Sequence, residues 1–151
     1  MSFWKKLLGQ QSTSDEGQKR ESVNPDKTQE AMTWVRSGHN LRANAAKEEA
    51  IRCFDKALEI DPECLLAWVE KGGCLAYLYR YEEALPCFVR ALEIDPQDAE
   101  AWYGKAEAED KLGRREAAVN SYRQFLALAS SEDEWDEIAI SDAQQRLQEL
   151  E

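Results

Sequence analysis

The groups able to do chemistry are few in this chain, and their spacing argues against catalysis. There is one histidine, His39, with no evident triad partner. The four cysteines, Cys53, Cys64, Cys74 and Cys87, contain no C-x-x-C pair, and with a single histidine they make no recognisable metal set. Adjacent acids occur as Glu48-Glu49 and Glu82-Glu83. They precede apolar runs, where carboxylates favour the positive end of a helix dipole. There is no G-x-x-x-x-G-K-[ST], G-x-G-x-x-G or H-E-x-x-H, so neither a phosphate cradle nor a metalloprotease site is predicted. The net charge of −11 opposes nucleic acid, and Arg114-Arg115 is an isolated basic pair. The expectation is a protein without catalytic, cofactor or metal residues, which acts through its surfaces.

Those surfaces are set by an internal repeat. Ala57-Leu58-Glu59-Ile60-Asp61-Pro62 returns unchanged as Ala91-Leu92-Glu93-Ile94-Asp95-Pro96, an offset of 34 residues. A period of this size marks stacked helical units, none of which buries its apolar face alone. On that period Trp34, Trp68 and Trp102 align. So do Gly38, Gly72 and Ala106, then Ala50, Ala84 and Ala118, then Phe54, Phe88 and Tyr122, then Ala57, Ala91 and Phe125. Trp34, Gly38 and Leu41 share one helical face, and Ala50, Phe54, Ala57 and Leu58 share another. The small residue in the first helix lets the second approach closely, and Asp-Pro stops the second. The third unit has Ser130 in place of the proline. Cys53 and Cys87 hold equivalent positions beside Phe54 and Phe88, so the cysteines read as small buried packing residues.

The pattern Trp, Gly or Ala, Ala, aromatic, Ala, Pro resembles the tetratricopeptide repeat (TPR) family, in three units at 31–64, 65–98 and 99–132. The resemblance implies an all-α solenoid of three helix-turn-helix hairpins that binds a protein or peptide in its concave groove. Lys71 and Lys105 depart from the leucine the family often has there, and Glu109 stands where Leu41 and Leu75 stand in the first two units. Pro86 falls in the second helix of the middle unit, where it removes a hydrogen bond or bends the helix unless it lies in the first turn. Phe125, large at a small position, predicts wider packing against the next helix.

The resemblance also implies which residues line the groove. Unit one offers Val35, Arg36, His39 and Arg42. Unit two offers Leu66, Val69, Glu70, Gly73 and Tyr77, and unit three offers Glu100, Tyr103, Glu107, Asp110 and Lys111. Such a groove is basic at one end, apolar with an aromatic in the middle and acidic at the other, which would orient a bound segment. TPR domains of the carboxylate-clamp class grip a peptide C-terminus through Lys, Asn, Asn, Lys and Arg. The matching positions here are Val35, His39, Glu70, Glu100 and Gly104, so recognition of an acidic chaperone tail is not expected.

The flanks differ in kind. Phe3, Trp4, Leu7 and Leu8 would share one face of a short amphipathic segment (1–9), with Lys5 and Lys6 opposite. It reads as a contact for a partner or the protein's own groove, as a weak membrane-interface anchor, or as a frayed terminus. The lipid contact would make the protein a membrane-peripheral scaffold. Residues 10–30 are polar and aperiodic and read as a disordered linker. Residues 133–151 place Trp135, Ile138, Ala139, Ala143, Leu147 and Leu150 on one stripe of an acidic capping helix. No apolar run reaches the ~18 residues of a membrane span, and no secretory signal is visible. The simplest expectation is a soluble cytoplasmic adaptor, scaffold or assembly factor, with self-association through the end of the stack as a further route.

Overall fold

The computed structural model describes residues 24–43, 46–130 and 134–151, with the side chains of 134 and 135 left aside. These residues form seven α-helices and no strand: α1 Pro25–Ala43, α2 Lys47–Ile60, α3 Leu65–Tyr77, α4 Tyr81–Ile94, α5 Ala99–Lys111, α6 Arg115–Leu128 and α7 Glu134–Leu150. The pairs α1/α2, α3/α4 and α5/α6 are hairpins, each packed on the next, with α7 against α6. The expected all-α solenoid of three hairpins with a capping helix is the observed fold.

The repeat explains the packing. The ring of Phe54 lies where a Cβ on Gly38 would approach within 2.6 Å, and Phe88 stands 2.8 Å from the same point on Gly72. Large against small lets each hairpin close. Phe88 also fills the space beside Gly104, where a Cβ would come within 2.4 Å of its ring. One aromatic thus joins its own hairpin to the next, a packing duty of Gly104 that the repeat alignment does not reveal. The helices α2 and α4 stop at Ile60 and Ile94, and Asp61 and Asp95 take extended backbone before proline. The same motif has a second task. The carbonyls of Pro62 and Pro96 accept hydrogen bonds of 2.8 Å from the indole N–H of Trp68 and Trp102. The repeated Asp-Pro therefore ends one hairpin and anchors the tryptophan of the following one.

Several details differ from the sequence reading. α1 begins at Pro25, so residues 25–30 are helix and not linker. Asn24 starts it, its side chain accepting from the Asp26 N–H at 3.1 Å, with proline in the first turn. Pro86 is the sixth residue of α4 and lies on the exposed side. The helix runs through it, and the carbonyl that loses its donor belongs to Glu82, an exposed residue. Phe125 is fully buried in one cluster with Ala139 and Ala143 of α7, whose small side chains make room for it. Ile138 is exposed and does not belong to the buried stripe of α7. Cys64, Cys74 and Cys87 are buried and Cys53 is half-buried. Burial pushes the thiols of Cys74 and Cys87 up to about 11, which keeps them protonated and unreactive at neutral pH.

The departures at Lys71, Lys105 and Glu109 have partners. Lys71 reaches Asp55 on the preceding hairpin at 2.6 Å. The equivalent of Asp55 one period later is Val89, so Lys105 turns inward. Its Nζ lies 2.7 Å from Glu109 Oε1 and donates to Ser121 Oγ at 2.9 Å, while Ser121 donates to Glu109 Oε2 at 2.6 Å. The three polar groups close on each other inside the third hairpin, which is how a buried charge is tolerated.

A tyrosine-lined concave site

The concave face holds a cavity of about 620 Å³ between α3 and α5, open to solvent. Val69, Gly73 and Tyr77 form one wall, and Glu100, Tyr103, Gly104 and Glu107 the other, with Tyr79 from the turn between α3 and α4 and Tyr81, the first residue of α4, completing the lining. Spacing places these groups together. Val69, Gly73 and Tyr77 are four residues apart on α3, and Glu100, Tyr103 and Glu107 follow the same face of α5.

The structure thus unites Val69, Gly73, Tyr77, Glu100, Tyr103 and Glu107 from the groove positions named above. Others are placed differently. Val35 is buried, while Arg36, Leu66 and Lys111 are exposed. Glu70 is nearly buried, with Arg42 Nε 3.2 Å from Oε2 and His39 Nδ1 3.3 Å from Oε1. The Arg42 contact is electrostatic, because Oε2 has no aligned hydrogen-bond donor. Asp110 is held by Arg146 of α7 through contacts of 2.7 to 2.9 Å. The expected gradient from basic through apolar to acidic is therefore altered. Glu70 neutralises part of the basic end, Asp110 is occupied within the chain, and the centre is acidic. Phe3, Trp4, Leu7 and Leu8 lie outside the described residues.

What remains open are two carboxylates. Neither Glu100 nor Glu107 has a hydrogen bond or ion pair among the described residues. Glu100 is exposed on the concave wall, and partial loss of water raises its pKa, with Glu70 and Asp98 adding to the rise and Arg42 opposing it. Desolvation likewise raises Glu107, against the pull of Lys111. Tyr103 donates to Asp142 Oδ2 of α7 at 2.8 Å, and its ring meets Phe125 edge-on at 5.1 Å. Burial and that hydrogen bond raise its pKa strongly. Tyr77 has the Lys47 ammonium 4.2 Å from its ring centre, so this ring already accepts a cation.

Two features were not evident from the repeat. Tyr79 has φ of 60°. Its equivalent one unit later is Gly113 at φ 74°, the residue this left-handed corner favours. A tyrosine here costs about 1–2 kcal/mol of backbone strain and places an exposed ring, 6.3 Å edge-on from Tyr81, at the cavity mouth. The second is Gly73, in mid-helix, where an added Cβ would meet nothing within 4 Å. Packing does not require this glycine; its missing side chain enlarges the cavity. The comparison of Tyr79 with Gly113 was available in the sequence, but only the structure shows that both corners are left-handed.

A stack of helical hairpins with an open concave site defines a helical-repeat protein. Residues 31–64 and 75–136 each match a family model described as tetratricopeptide repeat. The chain belongs to the tetratricopeptide repeat family. No curated protein resembles it significantly in sequence. Among solved structures, the first TPR of Spaghetti (RPAP3), bound to the HSP90 peptide SRMEEVD, superposes with a TM-score of 0.71 at 19% identity, covering 82% of this chain and 91% of that one. PcrH in complex with the chaperone binding region of PopD gives 0.71 at 19% identity, covering 87% and 96%. The Arabidopsis OM64 TPR domain gives 0.70 at 14% identity, covering 80% and 98%. At these identities the likeness is one of fold. No helix among the described residues is long and apolar enough to cross a membrane.

Proposed function

We propose that the protein is a non-enzymatic protein-interaction module that holds an extended peptide or a helix of a partner in its concave groove. The observation that carries this is the solvent-open cavity between α3 and α5, with Tyr77 and Tyr79 exposed at its mouth. Large exposed aromatics at a concave surface supply contact area at low entropy cost and are the side chains enriched where proteins bind. The strained Tyr79 supports the same reading, since the fold itself accepts glycine at that corner. Two neighbours of similar fold hold protein segments, the HSP90 peptide on the Spaghetti TPR and a region of PopD on PcrH. That makes the concave face of this chain the natural place for a ligand.

The test is a crosslinking capture from the native extract with the intact chain and its Tyr77→Ala and Arg36→Glu variants. A partner captured by the intact chain and lost with Tyr77→Ala identifies both ligand and site. A partner retained by both variants would place the interface outside the groove.

A further inference from the structure

We infer that the cavity receives a cationic side chain of the partner, an arginine in preference to a lysine, held by Glu100 and Glu107 among the rings of Tyr77, Tyr81 and Tyr103. This deepens the groove reading and rests on it. Glu100 and Glu107 are two turns apart on one face of α5, with Tyr103 and Gly104 between them. They are the acids in the lining, and neither has a hydrogen bond or ion pair among the described residues, with Arg42 and Lys111 acting on them only at a distance, whereas Glu70, Asp110 and Glu109 each have a basic partner in contact. A carboxylate on a cavity wall with no donor of its own gains a charge-assisted hydrogen bond from an incoming cation. Their raised pKa values, caused first by partial desolvation, agree with a wall that lacks donors.

The aromatic lining points to the same ligand. Burial first, then the charge of Glu107, raises the Tyr81 hydroxyl, so this ring and carboxylate share one neighbourhood. A planar guanidinium stacks on a tyrosine face while donating to a carboxylate at its edge, which a spherical ammonium does less well. Gly73 leaves room for it, since nothing lies within 4 Å of a Cβ built there. The native cations nearby do not fill the space. Lys47 is anchored to the Arg42 carbonyl at 3.0 Å while it covers Tyr77, and Lys111 is exposed. The groove thus selects a basic segment and disfavours an acidic one.

The experiment is a titration of the full ¹⁵N-labelled chain with N-acetylarginine amide, read at the Gly73 and Gly104 amides, with N-acetylcitrulline amide as the neutral isostere. Arginine should bind with Kd on the order of 1 mM, the ligand-efficiency expectation for a molecule of this size. Citrulline should bind about tenfold or more weakly, the loss expected for one charge-assisted hydrogen bond. Glu100→Gln with Glu107→Gln should show the same loss for arginine, and Gly73→Leu should exclude both probes. Equal binding of the two probes, or arginine binding unchanged in the double variant, would overturn the inference, as would shifts confined to α7. If Lys5→Glu with Lys6→Glu moved the Gly73 and Gly104 amides without any probe, the occupant would be this chain's own terminus and not a partner. A partner that is lost with Tyr77→Ala and kept by Glu100→Gln with Glu107→Gln would refute cation recognition and leave the groove reading standing.

Discussion

Removing Lys105 should cost far more than removing Glu109, although the two form one ion pair. The side chain of Glu109 is 6% exposed, while that of Lys105 is 21% exposed. Lys105→Leu leaves a buried carboxylate with only the Ser121 hydroxyl to donate to it. An uncompensated buried charge costs about 3–5 kcal/mol. Glu109→Leu instead leaves an ammonium on a flexible stem that reaches water, and it restores the leucine found at Leu41 and Leu75. Its cost should be about 1–2 kcal/mol, near that of one or two lost hydrogen bonds. The triple change Lys105→Leu, Glu109→Leu and Ser121→Ala replaces the whole network with apolar groups and should return to within about 1 kcal/mol of the parent, because burying no polar group avoids the desolvation altogether. In a double-mutant cycle closed by the Lys105→Leu, Glu109→Leu variant, the two single costs should sum to at least about 3 kcal/mol more than the cost of the pair. Urea unfolding followed by circular dichroism measures this directly, with an unchanged slope showing that only stability has moved. Equal costs for the two single changes, or a triple variant as unstable as Lys105→Leu, would refute the reasoning that burial decides which partner matters.

Three further outcomes follow from the same geometry. Gly73→Ala should stabilise the fold by about 1 kcal/mol, since a helical glycine there is not required by packing, whereas Gly104→Ala should destabilise it by about 1–3 kcal/mol through collision with Phe88; thermal unfolding of the pair gives the two signs. The raised carboxyls of Glu100 and Glu107 bind protons more readily folded than unfolded, so stability falls as pH rises from their ordinary range through the raised one. Glu83 and Glu149, lowered by hydrogen bonds from Arg80 and Gln145 respectively, act oppositely but sit in screened surface positions. Glu100→Gln with Glu107→Gln should therefore be more stable than the parent at pH 7, with the gap closing by about pH 3; a gap independent of pH would contradict this. A peptide ending in Glu-Glu-Val-Asp should show no binding by calorimetry, because Glu70 and Glu100 occupy clamp positions, and micromolar affinity would overturn that expectation.

The repeat made the hairpins legible because it is written in local spacing. Trp34 to Leu41 and Ala50 to Leu58 show their faces by periodicity alone, and Asp61-Pro62 marks where a helix must stop. The site was legible only in part, because its chemistry depends on pairings across long separations. Nothing in the spacing shows that Arg146 takes Asp110 or that Asp142 meets Tyr103. Those two contacts explain the misplacement of Ile138 as well. Asp142 and Arg146 are four residues apart on α7 and both bond to α5, while Ala139 and Ala143 are buried beside Phe125 with Leu147 half-buried, an orientation that leaves Ile138 exposed. Periodicity thus places helices, and the breaks from periodicity decide what charge is left over. Lys105, Glu109 and Ser121 close on one another, and Asp110 is consumed by the cap. Tyr79 replaces glycine at a left-handed corner, and Gly73 leaves a space its helix does not need. With Glu70, Glu109 and Asp110 each in contact with a basic side chain, Glu100 and Glu107 are the acids of the cavity wall without one, and a positively charged side chain is what would complete them.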